Sequence, residues 1–213
     1  MKLVLFLILS LFTITSVSAN DASDVSLKFK FTKKPPEVVV VYFADAPGKI
    51  DSKLPNIVDQ KNKKFIHKIV FKNQEEFLLL KNSDNMDHNI YSRNKKVNVN
   101  FDVGLLPPNS QRKHKVNWVK GEFIKIGCKI HPKMRSWVAN VESQHVLAHS
   151  FDRKKREFTI KMEKIPNSAK NIVVWMPGYD RAKITIPANQ DERVKMTRKN
   201  GKLDRGMIEV SRK

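Results

Sequence analysis

The stretch Gly127-Cys128-Lys129-Ile130-His131-Pro132-Lys133-Met134 sets a thiol, an imidazole and a thioether on one short loop between two strand-like runs. Cys128 is the only cysteine in the chain. The three groups differ in softness. A thiolate and two imidazoles in a trigonal set, with a long weak bond to a methionine sulfur, make the site that copper favours. The stretch supplies one imidazole, so a second histidine must arrive from elsewhere in the fold.

Outward from this loop the sequence reads as strands. Residues 113–119 and 122–127 precede it and 136–141 follow it, and further upstream lie 65–71, 76–80, 89–91 and 96–101. Polar or Gly/Pro-bearing turns separate them, and no stretch holds apolar residues at helical spacing over three turns. Short strands at intervals of about eight to twelve residues indicate an antiparallel β-sandwich or barrel. Before them, 26–32 alternates as a half-exposed strand, while 37–43 is a continuous β-branched run that reads as buried on both sides. Lys33-Lys34-Pro35-Pro36 turns between those two, and 44–55, with Pro, Gly and charges but no periodicity, is a loop and a candidate boundary. The style repeats at 145–151, 157–162, 171–176, 182–186, 193–197 and 207–210, with Asn200-Gly201 as a hairpin-turn signal. The expected fold is therefore all-β, a sandwich with a second small β lobe.

The chain opens with Lys2, an apolar block at 3–12 and the small-residue ending Val17-Ser18-Ala19, which reads as a cleaved secretory signal. Residues 1–19 are left out of the fold on that reading. The protein is then expected to be periplasmic or secreted, without a transmembrane span. The chain carries 41 Lys and Arg against 21 Asp and Glu, a net charge of +20, and +19 once the leader is removed. Such a surface seeks anions: an acidic partner protein or an anionic surface. Nucleic acid is disfavoured by export. A lone thiol can form no internal disulfide, and in an oxidising compartment it needs burial or a metal.

The second imidazole has a candidate in Asn82-Ser83-Asp84-Asn85-Met86-Asp87-His88-Asn89-Ile90-Tyr91, where His88 ends a polar loop just before a strand. A sandwich can bring that loop beside the Cys128 loop. Cys-x-x-His-x-x-Met with an upstream Asn-x5-His resembles the cupredoxins, and the short loop is most like that of amicyanin. Together with Ile57-Val58-Asp59-Gln60-Lys61-Asn62-Lys63, these runs resemble a narrower group of exported plastocyanin-like proteins often labelled methylamine utilization proteins. In that group a small carboxypeptidase-regulatory-like β lobe accompanies the copper domain, and Val173-Val174-Trp175-x-Pro177 looks like that lobe's last strand. The resemblance covers most of residues 37–187.

It implies a Greek-key β-sandwich at 56–145 holding one type 1 copper through His88, Cys128, His131 and Met134. It implies an accessory lobe from 26–50 and 146–213, leaving open which lobe the N-terminal strands pair with. Asn82 and Asn89 would support the ligands from behind. Lys129 stands where many cupredoxins carry a small hydroxyl residue that bonds the Asn after the first His, so Asn89 needs a backbone partner instead. Pro132-Lys133 replaces an acid and an aromatic, which changes the docking end and leaves the donor motif intact. Lys125, Lys129, Lys133 and Arg135 would ring the edge of His131 and face an acidic redox partner.

On this reading the protein is an electron carrier and not an enzyme. The competing function is a copper buffer or delivery protein using the same ligands. A Cys128–His131 nucleophile pair lacks an evident orienting carboxylate and leaves Met134 without a role. In a purely adhesive lobe Cys128 would be dispensable for binding. His67 and His114 read as fillers of strand-like runs. His145 and His149, four apart on a strand, stand about 13 Å from each other and cannot share an ion. Trp118, Trp137 and Trp175 read as core or lobe-interface residues.

Overall fold

The computed structural model describes residues 21–72, 77–199, 201 and 203–213. The leader read at 1–19, and Asn200 of the Asn-Gly turn, lie outside the described residues. No helix among the described residues is long and apolar enough to cross a membrane. The chain is all-β. Its first strands are β1 (Ala22–Lys30), β2 (Val38–Phe43), β3 (Ile57–Lys61), β4 (Lys64–Phe65), β5 (Ile69–Phe71) and β6 (Phe77–Asn82). Next come β7 (His88–Asn94), β8 (Val99–Leu106), β9 (Gln111–Lys115), β10 (Phe123–Gly127) and β11 (Arg135–Ala139). Then follow β12 (Val146–Ser150), β13 (Glu157–Pro166), β14 (Asn171–Trp175), β15 (Ala182–Thr185), β16 (Gln190–Thr197) and β17 (Leu203–Arg212).

They form four sheets, ordered β4-β3-β6-β9, β5-β11-β10-β7-β8, β12-β2-β14-β15 and β13-β1-β17-β16. Three apolar clusters join these sheets in series. Val58, Leu78 and Leu80 of the first sheet meet Ile90, Ile124, Ile126 and Val138 of the second. Ile69, Phe71 and Phe123 on the other side of the second meet Val38, Val40, Val173 and Trp175 of the third. Val39, Val41, Ile172 and Val174 of the third meet Leu27, Phe29, Ile208 and Val210 of the fourth. The middle sheets are thus covered on both sides, which demands apolar residues at successive positions. That is why β2 is buried along its whole length, while β1, in an outer sheet, alternates. At the shared seam Trp175 stacks on Phe123 at 4.1 Å and meets Trp137 edge-on at 5.0 Å.

Both N-terminal strands pair with the C-terminal part of the chain. β1 lies antiparallel between β13 and β17, and β2 between β12 and β14. The run 65–71, which reads as one strand, is two. Phe65 pairs with Gln60 in the first sheet, whereas Ile69–Phe71 pairs with β11 in the second. The chain changes sheets at 66–68, where Ser136 Oγ donates to the His67 carbonyl at 2.7 Å and the Trp137 amide to the Lys68 carbonyl at 3.2 Å. A similar run, 96–101, is interrupted: Lys95–Val97 is a 3₁₀ turn closed by Asn98 in the left-handed region (φ 50) before β8 begins.

β9 returns beside β6 after the β7–β8 hairpin has been laid in the facing sheet, a Greek-key crossing. This crossing positions the candidate site. Loop 83–87 passes from one sheet to the other between β6 and β7, and the β10–β11 connection hangs beside it because Gly127 pairs with Tyr91 of β7. Glycine at 127 leaves room for this approach: a Cβ would lie 3.1 Å from the Tyr91 ring, close enough that the ring would have to shift by a few tenths of an ångström.

Candidate metal centre

Loop 83–87 is shaped by side chains. Asn82 is fully buried, and its amide donates to the carbonyls of Met86 and Leu106 at 2.8 Å and of Pro107 at 2.9 Å. Its oxygen accepts the Asp84 amide at 3.0 Å, an Asx turn that starts the loop. Asp59 accepts from the Ser83 hydroxyl at 2.9 Å and so ties the loop to β3. Asp84 in turn accepts the Lys63 amide at 2.9 Å and stands 2.9 Å from Nε2 of His88. The Lys63 amide first, and the His88 bond second, pull the Asp84 carboxyl down to about 2. An ionised carboxylate can only accept. In the neutral ring Nε2 of His88 therefore carries the proton, and Nδ1 presents a lone pair.

That lone pair points at the other loop. His88 Nδ1 lies 3.8 Å from Cys128 Sγ and 3.1 Å from His131 Nδ1, and His131 Nδ1 is 3.8 Å from the same sulfur. All three donor atoms fall within 4.8 Å of one another. Among the described residues no other group of three or more His, Cys, Asp or Glu side chains gathers in this way. His88 and Cys128 are buried and His131 is half-buried. Burial, foremost, holds the His131 imidazole below its ordinary pKa, which favours its neutral, ligating form.

The donor distances fit a metal. Bonds of about 2.0 Å to nitrogen and about 2.3 Å to sulfur, at angles between tetrahedral and trigonal, place two nitrogens about 3.3–3.5 Å apart, and a nitrogen and a sulfur about 3.5–3.7 Å apart. The observed 3.1 and 3.8 Å come close to those ranges. Without a cation between them, two inward nitrogens this close would set lone pair against lone pair or leave one proton to be shared. The chemistry of the set, one soft sulfur with two imidazoles, suits copper or zinc among divalent ions.

Met134 follows at once. Its amide closes a turn onto the His131 carbonyl at 2.8 Å, and its side chain is buried in the apolar cluster that also holds Cys128. Asn89 links the two loops: its oxygen accepts the Lys129 amide at 3.2 Å, while its nitrogen donates to Asp102 at 2.6 Å and to the Gly104 carbonyl at 3.0 Å. Its partner across the loops is thus backbone. The Lys129 ammonium, bonded to Asp102, is the main cause holding that carboxyl at about 2.

Lys125, Lys129, Lys133 and Arg135 are all exposed. Two of these four cations already have acids: Lys129 pairs with Asp102, and Arg135 with Glu37 at 3.0 Å. His67 sits exposed in the sheet-changing turn, His114 on β9 packs against Phe101 with ring centres 4.1 Å apart, and His145 and His149 lie by β12, away from the trio. Sequence reasoning missed Asp59, Asp84 and Asp102. The one available signal was an acid four residues before a candidate ligand histidine, inside an Asn-rich loop.

No family model matches the chain, and no curated protein matches it. Among solved structures, a purple cupredoxin from Nitrosopumilus maritimus is similar at 18% identity, covering 38% of this chain and 79% of that one, with a TM-score of 0.27. A reduced amicyanin variant is similar at 16% identity, covering 48% of this chain and 98% of that one, with a TM-score of 0.35. A second reduced amicyanin variant is similar at 18% identity, covering 54% and 99% of the two chains, with a TM-score of 0.34.

Proposed function

We propose that His88, Cys128, His131 and Met134 hold one type 1 copper and that the protein is an exported, periplasmic electron carrier. The observation that carries this reading is the convergence of two inward Nδ1 atoms and one buried sulfur, with the proton of His88 pinned on the opposite nitrogen by Asp84. A copper ion bound there supplies a one-electron couple. The chain's own residues prepare for it. Asp84 fixes the ring of His88, Asn89 fixes the spacing between the loops, and the apolar cluster around Cys128 and Met134 keeps water from the thiol. Donors held this firmly move little when the charge at their centre changes. The half-buried His131 is the ligand a partner can approach, and the exposed Lys129 and Lys133 on its own loop favour an acidic one.

In this reading residues 56–145 form the copper lobe, and 26–50 with 146–213 form an accessory lobe. The partial exposure of His131 also favours a second function, a copper buffer or delivery protein, because a reachable ligand lets an acceptor capture the metal. Visible spectroscopy of copper-loaded, oxidised protein tests the first reading. An intense sulfur-to-copper band that survives repeated oxidation and reduction, and vanishes in Cys128→Ala, is expected. A colourless complex sinks it, and rapid copper loss to a chelator selects the buffer.

A further inference from the structure

A cleft of about 320 Å³ opens where the second and third sheets meet, on the flank of the molecule. Five cations line it: Lys34, Lys125, Arg135, Arg153 and Arg198, against the single acid Glu37. They come from five separate parts of the chain. Lys34 lies in the β1–β2 turn, Lys125 on β10, Arg135 on β11, Arg153 after β12 and Arg198 after β16. Local sequence therefore does not gather them; the packing of the two sheets does. Like charges brought together in a concave wall raise a field that neighbouring solvent screens poorly, and such walls concentrate anions.

The arginines are held in place. Glu37 lies 3.0 Å from Arg135, 3.6 Å from Arg153 and 3.6 Å from Lys68. Burial opposes its ionisation, yet the hydrogen bond from Arg135 and the charges of Lys68, Arg135 and Arg153 hold its carboxyl below the ordinary value. Arg198 donates to the Tyr179 hydroxyl at 3.1 Å and lies over that ring at 4.8 Å. Guanidinium groups fixed in this way lose little freedom when they grip an oxyanion. Even with Arg198 set aside, one lining carboxylate stands against four lining cations, a positive excess. A further carboxylate would satisfy one fork, whereas a tetrahedral dianion offers enough acceptor oxygens and charge for several. Trp137 and Pro177 add an apolar wall beside the cations. It suits the ring or chain that carries such a group.

We propose that this cleft is a binding site for a phosphate ester, with its phosphate among Arg135, Arg153 and Arg198 and its body against Trp137. The site is separate from the metal trio and stands whether or not copper binds. The ester could belong to a soluble sugar phosphate or to a lipid headgroup. Calorimetric titration of the full chain at low salt distinguishes them, with glucose 6-phosphate, inorganic phosphate, glucose, and phosphatidic acid vesicles as probes.

Glucose 6-phosphate should bind, glucose should not, and Arg153→Glu should weaken binding at least tenfold. Lys161→Glu, the same charge change on exposed β13 outside the cleft, should leave it within about twofold. Lys34→Glu repeats the test should Arg153→Glu fold poorly. Binding of vesicles but not of glucose 6-phosphate assigns the group to a lipid, and the reverse assigns it to a soluble ester. The proposal is overturned if no phosphate compound binds, if glucose binds as well as its phosphate, or if the cleft variants and Lys161→Glu weaken binding equally.

Discussion

The two loops that bring imidazoles to the candidate metal centre are built on opposite plans. Loop 83–87 is moulded by buried side chains: Asn82 bonds three carbonyls, and Asp84 locks the far nitrogen of a fully buried His88. Loop 128–134 is held mainly by backbone, through the Met134 amide on the His131 carbonyl and the Lys129 amide on Asn89, and its imidazole is half-buried. One side is a fixed anvil and the other faces the surroundings. A site that must keep its geometry and yet be reached from outside needs both, because full burial blocks access and full exposure loosens the donors.

The contrast can be broken at several points. The largest effect is expected where the loops share their sulfur. Cys128→Ala should abolish copper-dependent stabilisation altogether, whereas copper at a thousandfold excess over Kd should stabilise the parent protein by about 4 kcal/mol. Thermal melts with and without copper read this directly; equal copper-induced shifts in the two proteins would show that the thiol is no ligand.

Next comes the difference between the imidazoles. In His131→Gly, added imidazole should enter the partly open position and restore the metal spectrum, while in His88→Gly it should not, since that position is closed to solvent. Rescue of both variants alike would erase the proposed asymmetry. Asn82→Ala comes third. It strands buried carbonyls of Met86 and Leu106, for an expected cost of about 3 kcal/mol in denaturant unfolding.

Asp84→Asn sharpens the comparison further. It should weaken copper by about 10- to 100-fold in chelator competition, because the ring of His88 loses its charged anchor while keeping its place. The smallest effect belongs to the second loop. Lys129→Ala removes an exposed ion pair with Asp102 and leaves the Lys129 amide on Asn89, so the change in unfolding free energy should be at most about 1 kcal/mol and should shrink with salt. A larger loss would mean that the second loop also depends on side chains.

Much of this was legible along the chain, and the reasons for the rest are physical. The spacing of Cys128, His131 and Met134 is local, and a hairpin connection keeps close in space what is close in sequence. His88 was legible because it ends an Asn-rich polar loop just before a strand, where the Asn-x5-His pattern puts the upstream ligand. The run 65–71 misled because its apolar character is continuous while its pairing is not: Phe65 and Ile69 serve different sheets, and only the corner at 66–68 says so. The cations near His131 read as a collar, but the acids that claim two of them, Asp102 and Glu37, lie at 27 and 98 residues' distance in sequence from Lys129 and Arg135.

The sequence by itself settled the all-β character, through alternation in β1 and unbroken apolarity in β2, and it settled which side chains of mixed softness sit on one loop. Both are short-range properties, set by side-chain period and chain connectivity. Only the tertiary structure decided that four sheets stack in series, that Asp84 faces His88, and that five distant cations share one cleft. Those facts depend on which faces pack together, and packing is chosen by the summed burial of whole sheets, which no local window of residues contains.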